Sequence, residues 1–379
     1  MRKRVGVIFG GRSGEHEISI RSAGSVICAL DPDKYEIVPI AISEAGLWLN
    51  PERSGKLLND AARERADGGS EIGGQDDVGL FGDPRFGGLI AYDADLNDLS
   101  ELKLDLVFPI LHGTFGEDGT IQGLLELAGI PYVGCGVLAS ACGMDKVVMK
   151  SLFHEAGLPM CRYLWFLRRD WERDPEKLAS RIESSLGYPC FVKPANLGSS
   201  VGISKATDAA SLRAAIDLAA LYDRRIIIEE GLNMREIECA VLGNDEPEAS
   251  LPGEYVIRNK SKAFLDFNEK YSGTGNNEFV VPAPVSEELS EKIRAMAITA
   301  FKAIDGAGLA RVDFFLRSDT GSLLVNEINT MPGLTDASGY PKMWAGSGVP
   351  FSDVLDRLAE LAIERYEDRS RNRTARPVE

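Results

Sequence analysis

Leu309 to Asn329, LARVDFFLRSDTGSLLVNEIN, is the stretch from which the rest of the chain can be read. Two apolar runs flank Ser318-Asp319-Thr320-Gly321, and these four are turn-forming residue types, so a hairpin is predicted. Side chains alternate along a strand. Arg311 and Asp313 therefore share a face of the first strand, and Glu327 and Asn329 share a face of the second. If pairing is centred near Thr320, Asp313 falls roughly opposite Glu327. Like charges facing each other destabilise a sheet, so something must neutralise them. A divalent cation would do so: two carboxylates and an amide oxygen form a hard-oxygen set suited to Mg²⁺ that is bound partly by protein and partly by substrate phosphates. A solvent face with a slipped register explains the same residues equally simply, and the remaining sequence has to choose.

The chain has 379 residues, more than one ordinary core accommodates, so two or three domains are expected. Its composition, 44% hydrophobic and 26% charged, is that of a globular protein, and no apolar run reaches the length of a membrane span. The basic start, MRKR, precedes an apolar run that ends quickly in Gly-Gly, which reads as a first strand and not as a signal peptide. A net charge of −16 argues against nucleic-acid and anionic-membrane partners. An anionic ligand must then be met by a few local lysines and arginines or by a metal. The six cysteines are scattered without a C-x-x-C, so buried structural thiols in a reducing cytosol are expected, with neither disulfides nor zinc.

Val5–Phe9 is of buried-strand type and runs into a glycine turn and a helical pattern to about Ala29, with Glu15 and Glu17 at the helix start. Glu17 fits simple complementation of the helix dipole. Glu15 sits past the carboxyl end of a strand, where open α/β sheets bind ligands. Tyr35–Ile42 is a second strand. Residues 43–99 turn polar and Gly/Asp-rich and read as an insertion of loops and short strands with little core. Leu106–Ile110 is another buried strand, leading to His112 and a helix, Thr120–Ala128. His112 serves equally well as a functional or as a structural histidine. Alternating strands and helices predict a parallel sheet. The Gly-rich stretch from Pro131 to Cys142 reads as a domain boundary.

Beyond it, helix 145–156 opens with Asp145-Lys146. Strand 190–193 carries Lys193 into the loop Gly198-Ser199-Ser200, whose N–H groups and hydroxyls suit phosphate oxygens. It is no Walker A motif, because the lysine precedes the glycines. Arg225–Glu230 ends in Glu229-Glu230, acids suited to an adenine amine and ribose hydroxyls or to a solvated edge. The long polar segment 259–281 reads as a lid or as disordered. After the hairpin comes Thr330–Thr335, with a Gly333 N–H able to point at a developing charge, then a helix 351–365 and a charged, frayed tail.

The order of these pieces resembles the ATP-grasp superfamily. GGRSGEHEIS (10–19), HGTFGEDGTIQG (112–123), GMDK (143–146), FVKPANLGSSVGISK (191–205), FNEKY (267–271), ARVDFF (310–315) and NEINTMPGLT (326–335) narrow the resemblance to D-alanine–D-alanine ligases. It spans nearly the whole chain except the polar insertion and the tail. It implies an α/β fold: an N-terminal parallel-sheet domain (1–138, with insertion 43–99), then two ATP-grasp subdomains, 139–231 and 232–366, and a tail 367–379. The second subdomain would carry the lid 259–281 and the hairpin 309–329.

The implied reaction is ATP-driven joining of two D-alanines. One carboxylate takes the γ-phosphate to give an acyl phosphate, which the second amine attacks through a tetrahedral intermediate. Lys146 and Lys193 would neutralise phosphate oxygens, with Ser199 and Ser200 over the γ-phosphate. Glu229 and the Leu232 backbone would read adenine and Glu236 the ribose, with Glu230, Lys270 and Asn326 in the nucleotide site. Asp313, Glu327 and Asn329 would hold two Mg²⁺ ions, with Mn²⁺ as a substitute.

Glu15 would anchor the first ammonium, with His112 nearby. Arg311 and the Gly333 N–H would stabilise the oxyanion. Ser338 would fix the second substrate, and Tyr271 would bond Ser199 and close the site. The resemblance also implies a cytoplasmic homodimer. Three features depart from the family pattern or bear on the second substrate. Phe264-Leu265-Asp266-Phe267-Asn268 stands where tyrosines commonly flank the aspartate, and Gly339 stands where a larger apolar residue is common. The segment 259–281 contains no histidine, which argues against D-lactate as second substrate and leaves D-serine open. The alternatives are another ATP-grasp carboxylate–amine ligase or a non-catalytic nucleotide-binding paralogue. The paralogue would have lost a metal ligand or Arg311, and none is lost.

Overall fold

The structure, a computed structural model, describes residues 2–62, 77–92, 99–198, 201–257 and 277–373. β1 (Lys3–Gly10), α1 (His16–Ala29) and β2 (Tyr35–Ile42) open the chain. The insertion that follows contains α2 (Pro51–Ala62) and the antiparallel strands β3 (Asp77–Leu80), β4 (Gly88–Tyr92) and β5 (Leu99–Lys103). Then β6 (Leu106–Ile110) returns beside β1 to give a parallel sheet of order β2-β1-β6. The parallel sheet is as predicted; the insertion is not as coreless as expected. Leu49, Val78, Leu89 and Ile90 are buried, and the Ser54 hydroxyl inside α2 accepts from Ala41 N. Pro51 and Gly55 disguise α2 in the sequence, although proline is well tolerated in a first helical turn.

α3 (Thr120–Ala128), α4 (Val137–Met144) and α5 (Lys146–Glu155) follow. Most of α4 lies in the stretch read as an irregular Gly-rich transition: its small residues, VLASACGM, sustain a helix because they pack against α5 and the later hairpin. Asp145 ends α4 and caps α5, accepting from Val147 N and Val148 N at 3.1 and 3.0 Å. An ion pair with Arg225 holds the same carboxylate.

A second sheet contains β7 (Tyr163–Leu167), β8 (Cys190–Pro194), β9 (Ser204–Ala206) and β10 (Arg225–Glu230), in the order β7-β10-β8-β9 and antiparallel throughout. The helices α6 (Arg168–Arg173), α7 (Pro175–Ser185) and α8 (Ala209–Tyr222) connect these strands.

The largest sheet contains β11 (Met234–Gly243), β12 (Glu248–Ala249), β13 (Gly253–Ile257), β14 (Asn277–Val280), β15 (Gly308–Arg317) and β16 (Leu323–Asn329). Its order is β14-β13-β11-β15-β16, with β12 on β11, and α9 (Glu287–Ala303) packs across it. α10 (Gly339–Gly346) and α11 (Phe351–Ser370) finish the chain. The last helix continues past the predicted fraying point because Arg369 pairs with Glu126 and Ser370 Oγ bonds Tyr366 O at 2.7 Å. The final residues of the tail lie outside the described ones.

One cluster of buried side chains joins Phe9 and Phe108 of the parallel sheet to Leu309, Met331, Tyr340, Trp344, Leu355 and Leu358. Each such side chain contributes about 1.5–3 kcal/mol when fully buried. The hairpin and the N-terminal sheet are thereby held in one core, which fixes the geometry of the cleft between them. All six cysteines are unpaired, as expected, and four are buried, though Cys28 is exposed. Burial pushes the thiols of Cys135, Cys161 and Cys190 up to about 11, which suits inert packing groups.

Candidate active site

β15 and β16 pair antiparallel around the 318–321 turn, with Gly321 N donating to Arg317 O at 2.9 Å. Asp313 lies directly opposite Glu327, and Arg311 opposite Asn329, as alternation about Thr320 predicts. Beyond Asp313 the register steps by one, pairing Phe314 with Val325 and leaving Asn326 as a bulged residue. Protein groups already engage the Asp313 carboxylate. Arg311 makes two bonds of 2.6 Å to the Asp313 carboxylate, and Asn329 Nδ2 donates to the same group at 3.1 Å. Glu238, opposite Asp313 on β11, lies 3.4 Å from Arg311 Nε. The sequence reading missed Glu238. Its period-two spacing from Glu236 was the available signal.

A second charged cluster lines the same cavity. Lys193 on β8 donates to Glu229 on β10 at 2.6 Å, and Lys150 on α5 approaches the other Glu229 oxygen at 2.9 Å. Both Glu229 oxygens thus face lysines. Burial alone would raise the Glu229 pKa, but the two ammonium groups more than offset it and hold the carboxyl far below its ordinary range. Burial likewise opposes the charge on Lys193, yet Glu229 and Glu327 win and raise its pKa. Lys146, at the first position of α5, donates to Leu197 O at 2.8 Å, and desolvation lowers its pKa. Lys150 was also missed, although it follows Lys146 by four residues and so shares its helical face. Glu230 turns its carboxylate to Arg162, whose backbone N and Nε each donate at 2.8 Å.

The N-terminal sheet contributes the third wall. Glu15 precedes α1, and its carboxylate lies against Gly113: a Cβ at 113 would come 2.6 Å from Oε2, and the backbone there has φ +70°. The left-handed backbone favours glycine at 113, and a larger residue would also push the Glu15 carboxylate aside. His112 is buried, with Nδ1 3.1 Å from Met331 O and Nε2 3.2 Å from Ser22 Oγ. Desolvation works against its protonation, but Glu117, then Glu15 and the Met331 carbonyl, raise its pKa overall.

Glu15, His112, Lys146, Lys193, Glu229, Glu230, Leu232, Glu236, Arg311, Asp313, Asn326, Glu327, Asn329 and Gly333 all line this one cavity. Three distant stretches of sequence converge there. Ser338 is not among the described residues that line it. Its hydroxyl bonds Thr335 Oγ1 at 2.7 Å and accepts from Thr335 N at 3.2 Å, bracing the turn before α10. At the neighbouring Gly339, a Cβ would meet Glu238 Oε2 at 2.5 Å and Phe279 Cζ at 2.9 Å, so a side chain there would require those two to shift. Ser199, Ser200, Lys270 and Tyr271 lie outside the described residues. No three His, Cys, Asp or Glu side chains cluster as a metal site among the described residues. A cation at the hairpin would therefore draw on Asp313, Glu327, the Asn329 amide oxygen and substrate oxygens, a donor set suited to Mg²⁺.

Comparison with known proteins agrees along the chain. Residues 4–135 match the family described as D-ala D-ala ligase N-terminus, and residues 152–360 match D-ala D-ala ligase C-terminus. The D-alanine–D-alanine ligase of Heliobacterium modesticaldum is 48% identical over 376 residues, covering 99% of each chain. That of Geobacillus thermodenitrificans is 48% identical over 369 residues, covering 97% of this chain and 98% of the other. Among solved structures, the VanG D-Ala:D-Ser ligase from Enterococcus faecalis superposes with a TM-score of 0.81 at 37% identity, over 96% of this chain and all of that one. The D-alanine–D-alanine ligase from Coxiella burnetii gives 0.79 at 35% identity, over 97% of each. The chain belongs to the D-alanine–D-alanine ligase family, and with it to the ATP-grasp ligases of peptidoglycan precursor synthesis.

Proposed function

We propose that this cavity joins two D-alanines into D-alanyl-D-alanine at the expense of ATP, with Asp313, Glu327 and Asn329 holding magnesium. One observation carries the assignment of roles. The in-register pair Asp313–Glu327 lines the same cavity as Lys146 and Lys193. Carboxylates for a cation and ammonium groups for phosphate oxygens are what phosphoryl transfer requires, because it depends on positioning and charge neutralisation. Bound magnesium, or manganese in its place, neutralises charge developing on the transferred phosphoryl group.

The protein's own groups supply the rest. Lys146 and Lys193 draw the phosphate tail into the buried end of the cavity. Leu232 and Glu236 border the nucleoside, with Glu230 and Asn326 beside them. Glu229 serves by fixing the lysines. Glu15 receives the ammonium of the first D-alanine, and His112, held between Met331 and Ser22, has its pKa raised by Glu117 and Glu15. As the second amine attacks the acyl phosphate, Arg311 and the Gly333 N–H stabilise the oxyanion. Arg311 lies two residues from Asp313 and bonds its carboxylate, so the group that would stabilise the oxyanion also positions a carboxylate that would hold a cation.

Phosphate release from purified protein with ATP, Mg²⁺ and D-alanine tests the reading. Turnover dependent on D-alanine is expected, and none with any D-amino acid would sink it. D-serine as second substrate is the informative arm, because Gly339 leaves the Glu238 carboxylate where the family's larger apolar residue would stand. A higher kcat/KM for D-serine than for D-alanine would reassign the second substrate alone. A homodimer in the cytosol completes the proposal, and light scattering checks the assembly.

A further inference from the structure

Lys150 is fully buried, one helical turn beyond Lys146. Its Nζ lies 2.9 Å from Glu229 Oε1, 3.4 Å from the carbonyl of Asn326 and 5.6 Å over the centre of the Tyr163 ring. Lys193 and Glu229 are among the described residues lining the cavity; Lys150 is not. A buried ammonium costs several kcal/mol of desolvation, and replacing a whole buried ion-pair cluster by apolar residues of similar volume is often neutral for stability. Packing alone therefore does not account for a lysine here.

Charge does. Two lysines and one glutamate leave the trio with a single positive charge. Without Lys150, Glu229 would lie 2.6 Å from Lys193 and cancel it, so a neutral pair would face the cavity. We infer that Lys150 is a positioning residue for nucleotide binding: by engaging one oxygen of Glu229, it leaves Lys193 with net positive charge toward an incoming phosphate. The inference rests on the proposed role of Lys193 as a phosphate ligand. The contact with Asn326, next to Glu327 on the hairpin bulge, anchors the Lys150 ammonium and joins the second sheet to the third.

The test measures KM for ATP, kcat and ADP affinity by calorimetry on the parent enzyme and three variants. Lys150→Met should raise KM for ATP and Kd for ADP about tenfold, with kcat changed less than about threefold, since a hydrogen-bonded charge contributes on this scale. Lys150→Met/Glu229→Gln removes one charge of each sign and restores the net positive charge, so both constants should return to within about threefold of the parent. A residue that only fills space predicts no such recovery.

The inference falls if Lys150→Met leaves KM for ATP unchanged, or if the double variant binds ADP no better than the single one. Should Lys150→Met fail to fold, the double variant decides. Near-parental ADP affinity supports the inference, and misfolding or weak binding overturns it. Lys193→Met in the same titration separates the two levels. An unchanged KM for ATP there would refute the phosphate role of Lys193 itself, whatever Lys150 does.

Discussion

The hairpin and the lysine cluster handle charge in opposite ways. Around the hairpin, Asp313, Glu327 and the β11 residue Glu238 outnumber Arg311, leaving an excess of two negative charges. In the cluster, Lys146, Lys150 and Lys193 outnumber Glu229, leaving an excess of two positive charges. The two excesses attract each other through Glu327, which acts on both Lys146 and Lys193, and each is complementary to one half of a metal–phosphate ligand. Solvation differs too. The lysines and Glu229 are buried, so their ion pairs are fixed and strongly coupled. Arg311 and Asp313 are only partly buried, and so are better placed to exchange partners as ligands come and go.

Removing one acid from each region is the most direct way to break this contrast. Glu327→Gln should lower kcat by about 10³-fold, because a metal site supplies several kcal/mol of charge stabilisation, and leave Tm nearly unchanged. Phosphate release with circular dichroism melts checks both halves; retained turnover would remove Glu327 from the metal role. Glu229→Gln should act chiefly on the fold. Stranding buried lysines costs about 3–5 kcal/mol, read as a shift in the urea midpoint.

The pH dependence follows from the sign of the Glu229 shift. Its pKa is depressed in the folded state, so its stabilising contribution is complete above the ordinary carboxylate range. The deficit of the variant should be constant from neutral pH down to about pH 5 and should shrink on further acidification. A deficit that grew with acid would contradict the buried pairing.

His112 gives the smallest expected effect and sharpens the comparison at the third wall. Its folded pKa is raised, so the stability it adds is fully present below its ordinary pKa and is lost as pH rises through the folded value. The stability difference between the parent and His112→Gln should therefore be larger at pH 6 than at pH 9. Equal differences at both would show that His112 is neutral throughout.

Much of this was legible in one dimension. The turn residues 318–321 and strand alternation placed Asp313 opposite Glu327, because hairpin pairing is a local property. The parallel sheet followed from strand–helix alternation, and the seven ordered motifs carried the family. Other features depended on packing. α4 exists because α5 and the hairpin cover its small residues. The insertion gains a core because Leu49 and Val78 reach sheet neighbours far along the chain.

Residue types and their order determined which charges this protein would bring to its cleft. Only the tertiary structure decided who pairs with whom: Arg311 on Asp313, Glu229 between Lys150 and Lys193, Glu238 against Gly339. Ion-pair choice is set by distances of 3–4 Å and by desolvation, and neither can be read from the sequence until separate strands and helices have packed together.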